Sequence, residues 1–174
     1  MNKQIKKLND SIIDQTKYSY DEQSCEIIER IIMIIFDKIM EIANKLLLLS
    51  KKNRLELKEI NAVIYILFNI EIANLISINS FENIKLYQRK KSTNLILPIT
   101  VFSKEIKKRI LSDQKSKIIN IAIVTIIEYI IMLLLHESMT RLKNKEKIIS
   151  KKHIVQSISD STEFKNIFNN TLFQ

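Results

Sequence analysis

Few side chains in this sequence are suited to catalysis. Two histidines, His136 and His153, stand 17 positions apart with no cysteine beside either. The single cysteine, Cys25, lies near the carboxylates Glu22 and Glu26, which oppose thiolate formation. Two histidines and one cysteine cannot furnish an ordinary structural zinc site, and one cysteine permits no internal disulfide. The remaining chemistry is that of cations: 28 Lys and Arg stand against 19 Asp and Glu, a net charge of +9. Residues 1–88 hold 12 basic and 12 acidic side chains and residues 89–174 hold 16 and 7, so the whole excess lies in the second half. Such asymmetry suits a polyanionic partner, either nucleic acid or an anionic membrane; the alternative is a solvated basic face with no partner. No enzyme, catalytic residue, metal or cofactor is expected.

The elements that must carry these cations are helices. The chain has no glycine and one proline. That removes the phosphate loop, the dinucleotide fingerprint, the nucleophile elbow and the calcium loop, each of which needs a backbone only glycine adopts readily. It also leaves almost no turn punctuation, so the fold class is all-α. With 174 residues the chain is one or two compact domains. Ile (36), Lys (23) and Asn (15) dominate, as AT-rich coding DNA would dictate, so some choices of Lys over Arg reflect codons. Residues 1–10 lack a continuous apolar core, so no signal peptide is expected, and the setting is read as intracellular and reducing.

The spacing predicts a long helix over 26–49, whose charged and amide residues Glu26, Glu29, Arg30, Asp37, Lys38, Glu41, Asn44 and Lys45 fall on about half its circumference. The basic break Ser50-Lys51-Lys52-Asn53-Arg54 follows, then helices near 56–68 and 71–87. A polar, basic connection over 88–94 leads to Leu97-Pro98-Ile99, after which a helix begins and runs to about 111. A second long helix covers 118–142, then a second basic break, Lys143-Asn144-Lys145-Glu146-Lys147, and a short helix over 151–159. Placing Ile60 on Ile154 superimposes the two halves at an offset of 94 residues, which reads as two copies of one three-helix unit.

Residues 118–135 contain one charge, Glu128, and are long enough to cross a membrane. The corresponding helix 26–49 carries seven charges and cannot span. A helix buried on most faces of a small α-helical protein gives the same apolar run, and no membrane partner is expected.

Short helix, loop, long helix, loop, short helix, repeated twice, resembles tandem histone folds. The segment 34–88 is similar to histone 2B through Ile35-Phe36-Asp37-Lys38-Ile39, Glu41-Ile42-Ala43-Asn44-Lys45-Leu46, Ser50-Lys51-Lys52, Lys58-Glu59-Ile60 and Glu71-Ile72-Ala73, continuing to Tyr87. The segment 97–168 is similar to histone 2A through Leu97-Pro98-Ile99, Ile127-Glu128-Tyr129-Ile130, Ile148-Ile149, His153-Ile154 and Glu163-Phe164. A 2B-like and a 2A-like fold in one chain resemble the histone doublets of giant DNA viruses. The resemblance implies a 2B-like fold over 1–88, a linker over 89–96 and a 2A-like fold over 97–174, clasped as an intramolecular pseudo-heterodimer. Fusion would make the pairing intramolecular.

The function so implied is sequence-tolerant binding of double-stranded DNA and packaging of viral DNA into nucleosome-like particles in the virion and in the viral factory or nucleus of the host cell. The partner implied is a histone 3–histone 4-type dimer or doublet. By position, Lys51, Lys52 and Arg54 form one second loop, Lys145 and Lys147 the other with Lys151 opening the helix that follows, Lys115 and Lys117 a first loop, and Lys107 and Lys108 join Lys104, which stands where the family has a minor-groove arginine. Helix N-termini at these loops would add N–H donors for phosphate. Such contacts read no bases; this mechanism is the one known for the histone octamer and is carried over with the resemblance. The acidic first loop, Tyr20-Asp21-Glu22-Gln23, departs from the pattern. For partner binding the resemblance implies the apolar helix end Leu46, Leu47, Leu48 and Leu49, and what is left of an acidic patch, Glu71, Glu128 and Glu163, too little for host factors to grip. Since Glu128 matches such a position, it is not paired with Glu137 as a glycosidase-like dyad. The basic tails and the 2A docking extension are nearly absent. Two other classes remain, a membrane-associated helical protein and a helical viral interaction protein of the apoptosis-inhibitor kind.

Overall fold

Why the chain is helical is visible at the helix ends. The computed structural model describes residues 19–111, 116–143 and 146–168. Among them β1 (Ser19–Tyr20) precedes α1 (Glu22–Ser50), α2 (Leu57–Leu67), α3 (Ile70–Lys90), α4 (Ile99–Arg109) and α5 (Lys117–Thr140); β2 (Ile148–Ile149), α6 (Lys151–Asp160) and α7 (Thr162–Phe168) complete the order. Among the described residues the protein is all-α apart from one two-residue parallel pairing of β1 with β2. The expected short helix before Tyr20 lies outside the described residues.

Helix α1 starts four residues earlier than periodicity predicts, at Glu22. The cause is Asp21, whose Oδ1 accepts the Ser24 backbone N–H at 2.8 Å and so satisfies one of the free donors of the first turn. None of the charged and amide residues expected on its polar face is buried, while Ile28, Ile31, Ile32, Ile35, Phe36 and Ile39 are fully buried. Helix α7 is an addition: periodicity places no helix after residue 159. Ser161, in extended conformation, divides the two, and its hydroxyl accepts from Phe164 N–H.

The internal repeat reaches the level of single hydrogen bonds. The offset of 94 carries Leu57, the first residue of α2, onto Lys151, the first residue of α6. Both helices open with a reciprocal cap, Glu56 with Glu59 and Ser150 with His153, at the same offset. The preceding loop braces the cap in both copies, with a lysine in one and a glutamate in the other. Lys52 Nζ lies 2.6 Å from Glu59 Oε1, and Glu146 Oε2 lies 3.6 Å from His153 Nε2.

Two compact units divide the chain, Met1–Ile35 with Tyr129–Gln174, and Phe36–Glu128. The boundaries fall inside α1 and α5, so each unit draws on both sequence halves. In the unit Phe36–Glu128, Phe36 meets Phe102 edge to face at 5.6 Å, and the Arg109 guanidinium lies 5.1 Å from the Phe36 ring while pairing with Asp37 and Glu105. Asn44 ties α1 to the end of α4: its Nδ2 donates to Arg109 O and its Oδ1 accepts from Leu111 N–H. In the other unit the core is built from Ile28, Ile31 and Ile32 of α1, Ile130 and Leu134 of α5, Ile154 of α6 and Phe168 of α7, all fully or almost fully buried. Arg141 there joins the end of α5 to α6, donating to Ser157 Oγ at 2.9 Å and pairing with Glu137 and Asp160.

Without glycine, a helix that ends in a left-handed turn must place a side chain there. Lys51 has φ 52° and closes α1 in a Schellman arrangement: its N–H donates to Leu48 O and that of Lys52 to Leu47 O. The left-handed region costs a residue with a Cβ about 1–2 kcal/mol, and glycine gives back about 0.5–1 through its freer unfolded chain. Lys51→Gly should therefore raise the unfolding free energy by about 0.5–1 kcal/mol, measured by urea denaturation at constant m-value.

Candidate nucleic-acid interface

The sequence-predicted cations lie at helix ends and loops, and they divide by what holds them. In the unit Met1–Ile35 with Tyr129–Gln174, the segment before α1 runs beside the segment after α5: Ser19 pairs with Ile148 and Tyr20 with Ile149, and Ser19 N–H donates to Lys147 O at 2.7 Å. Ser24 Oγ, buried, stands 2.6 Å from Asp21 Oδ1 and 2.9 Å from Ile149 O, which locks the pairing to the first turn of α1. Lys147 and Lys151 are exposed on either side of β2. The negative charge of Asp21 is spent on its cap. Lys145 lies outside the described residues.

In the unit Phe36–Glu128 the segment after α1 lies beside the start of α5. Arg54, Leu55, Glu56 and Leu57 line a cleft of about 500 Å³ with Ser116, Ile118 and Ile119. Lys51 and Arg54 are exposed. Lys52 is not available in the same way: its ammonium bonds Glu59 at 2.6 Å and Glu56 at 3.0 Å, contacts that hold it above the usual lysine range. Burial pushes the Glu59 carboxyl up, but the Lys52 bond and the Glu56 backbone N–H outweigh it and leave it below its usual value. On α4, Lys104, Lys107 and Lys108 are exposed, and Lys108 pairs with Glu105 at 2.8 Å. Lys117, exposed at the start of α5, lies 5.0 Å from the Tyr87 ring. Lys115 lies outside the described residues.

Helix N-termini supply fewer phosphate donors than their positions suggest. The first turns of α1, α2 and α6 are closed by Asp21, by Glu56 with Glu59, and by Ser150 with His153. An anion at these ends would compete with side chains already in place.

The expected partner surfaces also divide. Leu48 and Leu49 are 66% and 82% exposed, but Leu46 is half-buried and Leu47 packs into the core at 3%. Leu47 faces inward because α1 buries positions Ile39, Ala43 and Leu47 on one stripe. Glu71 is exposed in the first turn of α3 and Glu163 half-buried in that of α7. Glu128 is no surface carboxylate. It is buried, and its Oε1 accepts the backbone N–H groups of Ile96 and Leu97 at 2.6 and 2.5 Å, fixing the connection just ahead of Pro98. Three cationic features escape periodicity: Arg109, Arg141 and the Arg89-Lys90-Lys91 end of α3. The i,i+4 spacings Glu105–Arg109 and Glu137–Arg141 are the signals that mark the first two.

No group of His, Cys, Asp and Glu suited to hold a metal ion occurs among the described residues. Lys117–Thr140 is long and apolar enough to cross a membrane by length and composition, and 78% of its most apolar stretch is buried within the protein. No protein-family model matches this chain, and no curated protein matches it.

Burial pushes the Glu128 carboxyl up to about 7, against the opposing pull of the Leu97 and Ile96 N–H groups. A carboxyl raised from 4.5 to about 7 in the folded state binds more protons there than when unfolded, so its contribution to stability is complete below about 4.5 and is lost as pH rises through 7. Gln at this position keeps the acceptor oxygen and loses the charge. Urea denaturation of the native protein and Glu128→Gln at pH 5 and pH 8 should show the native protein losing about 2–3 kcal/mol relative to the variant.

Proposed function

We propose that this chain is a DNA-packaging structural protein, a 2B-like and a 2A-like histone fold fused in one polypeptide and clasped as a pseudo-heterodimer. The observation that carries the reading is the parallel pairing of Ser19–Tyr20 with Ile148–Ile149, which joins the loop before one long helix to the loop after the other. A handshake between two histone folds requires that exchange. The cleft that sets Arg54 and Leu55 beside Ser116 and Ile118 matches the reciprocal loop pair. The 94-residue repeat of helix starts and reciprocal caps supports two copies of one unit.

In this reading the exposed cations Lys51, Arg54, Lys104, Lys107, Lys117, Lys147 and Lys151 neutralise phosphates of double-stranded DNA and read no bases. Lys52 and Lys108, committed to carboxylates, contribute less. The exposed pair Leu48 and Leu49 is the apolar end offered to a histone 3–histone 4-type partner, with the neighbouring helix α2 completing a four-helix contact. The particle acts where viral DNA is condensed, in the virion and in the viral factory or nucleus.

DNA reconstituted with the chain and a histone 3–histone 4-type partner should yield protected fragments of discrete length on nuclease digestion, and uniform degradation in both its presence and its absence would count against the reading. Binding to unrelated duplexes should be equally tight and fall steeply with salt, by a log–log slope of about 0.9 per phosphate contacted. Lys51→Gln, Arg54→Gln and Lys147→Gln together should weaken all sequences alike and reduce that slope.

A further inference from the structure

Lys51 and Lys91 are the two non-glycine residues with left-handed backbone, φ 52° and 55°, among the described residues. Lys91 ends α3, its N–H donating to Tyr87 O at 2.8 Å. Asn enters this region at lower cost than Lys because its short polar side chain bonds locally. Its codons are as AT-rich as those of Lys, and the chain uses it 15 times. Coding bias therefore explains the missing glycine but not the choice of lysine.

Positive charge is concentrated around this residue. Lys91 Nζ lies 5.6 Å from the Tyr87 ring centroid, and Lys117 Nζ, from the start of α5, lies 5.0 Å from the same centroid. Lys90, three residues after Tyr87 and on its side of α3, is exposed, as is Arg89 on the other side of the same helix end. Among the described residues none of the four forms an ion pair, in contrast to Lys52, Lys108, Arg109 and Arg141. Cations in the last turn of α3 complement its dipole, which accounts for Arg89 and Lys90. It does not account for Lys117, a cation at a helix N-terminus, where the dipole favours an anion. Two ammonium groups drawn to one ring, one of them at the wrong end of its helix, leave a place for negative charge.

We propose that the end of α3 and the start of α5 form a phosphate-contact site for the backbone of duplex DNA, built from Lys90, Lys91 and Lys117 around Tyr87, with Arg89 flanking it at the same helix end. The ligand class rests on the DNA-binding reading above; the site extends the contact beyond the loops to the 89–96 connection. The exposed apolar residues of α3, Leu75, Ile78 and Phe81, lie more than a turn before Tyr87 and the cations gather after it, so the site itself is polar, and anionic phospholipid vesicles serve in the test as the competing polyanion.

The test uses the full chain, a duplex of about 30 base pairs and a salt titration. The variant Arg89→Gln, Lys90→Gln, Lys91→Asn removes three charges and keeps a residue that accepts the left-handed turn, so only the dipole contribution of Arg89 and Lys90 is lost and its melting temperature should stay within a few degrees of the native protein's. Its log–log salt slope should shrink by about 0.9 for each phosphate contact removed. Lys85→Gln, on the same helix but over Phe81, should leave the slope unchanged. An unchanged slope in the triple variant, alongside a reduced one in the Lys51, Arg54 and Lys147 variant, overturns this site and leaves the DNA-binding reading standing. An equal loss per charge from Lys85→Gln also overturns it. A native protein that fails to bind the duplex overturns both; a triple variant impaired only on anionic phospholipid vesicles overturns this site alone.

Discussion

Helix α5 sets the terms for the rest of the molecule, because residues 119–128 are ten consecutive buried positions and no face of that stretch meets water. An isolated helix cannot hide its whole circumference, so other elements must enclose it. Every polar group inside the stretch must then find a partner. Asn120 donates to Ser103 Oγ, Thr125 returns its hydroxyl to Ile121 O, and Glu128 takes two backbone N–H groups from the connection ahead of α4. The burial that stabilises α5 is thus also what anchors residues 96 and 97, and the penalty appears as a carboxyl held near neutrality.

Charge is allocated in two ways. Some cations are internal braces: Lys52 holds the cap of α2, Arg109 lies on Phe36 between Asp37 and Glu105, and Arg141 joins α5 to α6. Others, including Lys51, Arg54, Lys104, Lys107 and Lys147, stand exposed with no carboxylate engaged among the described residues. Net charge alone does not separate these groups. The distinction matters for a polyanion, because a cation already paired must break that pair before it neutralises a phosphate.

The caps reveal a second economy. A helix N-terminus can hold an external anion or an internal side chain, and α1, α2 and α6 hold the latter. Glu56 with Glu59 and Ser150 with His153 are related by the same offset as the helices they open, yet the loop residue bracing each has the opposite charge, Lys52 in one copy and Glu146 in the other. The cap geometry is the same at both helix starts although the residues that build and brace it differ.

Composition and periodicity alone determined the helical class, the two long helices, the basic breaks and the repeat, because a period of 3.6 and the lack of glycine act locally along the chain. The bounds of the expected helices fell within a few residues of periodicity, the start of α1 departing furthest through the single side chain Asp21, while α7 was not expected at all. Tertiary structure decided what no local pattern encodes: that Ser19 and Tyr20 pair with Ile148 and Ile149, that Glu128 faces a backbone turn 31 residues away, and that Leu47 points inward while Leu49 points out. It also decided which lysines are free, since an ammonium's availability depends on carboxylates brought near by folding. Sequence fixes which groups exist and on which face of their own helix they sit; only packing of distant segments determines what each face meets.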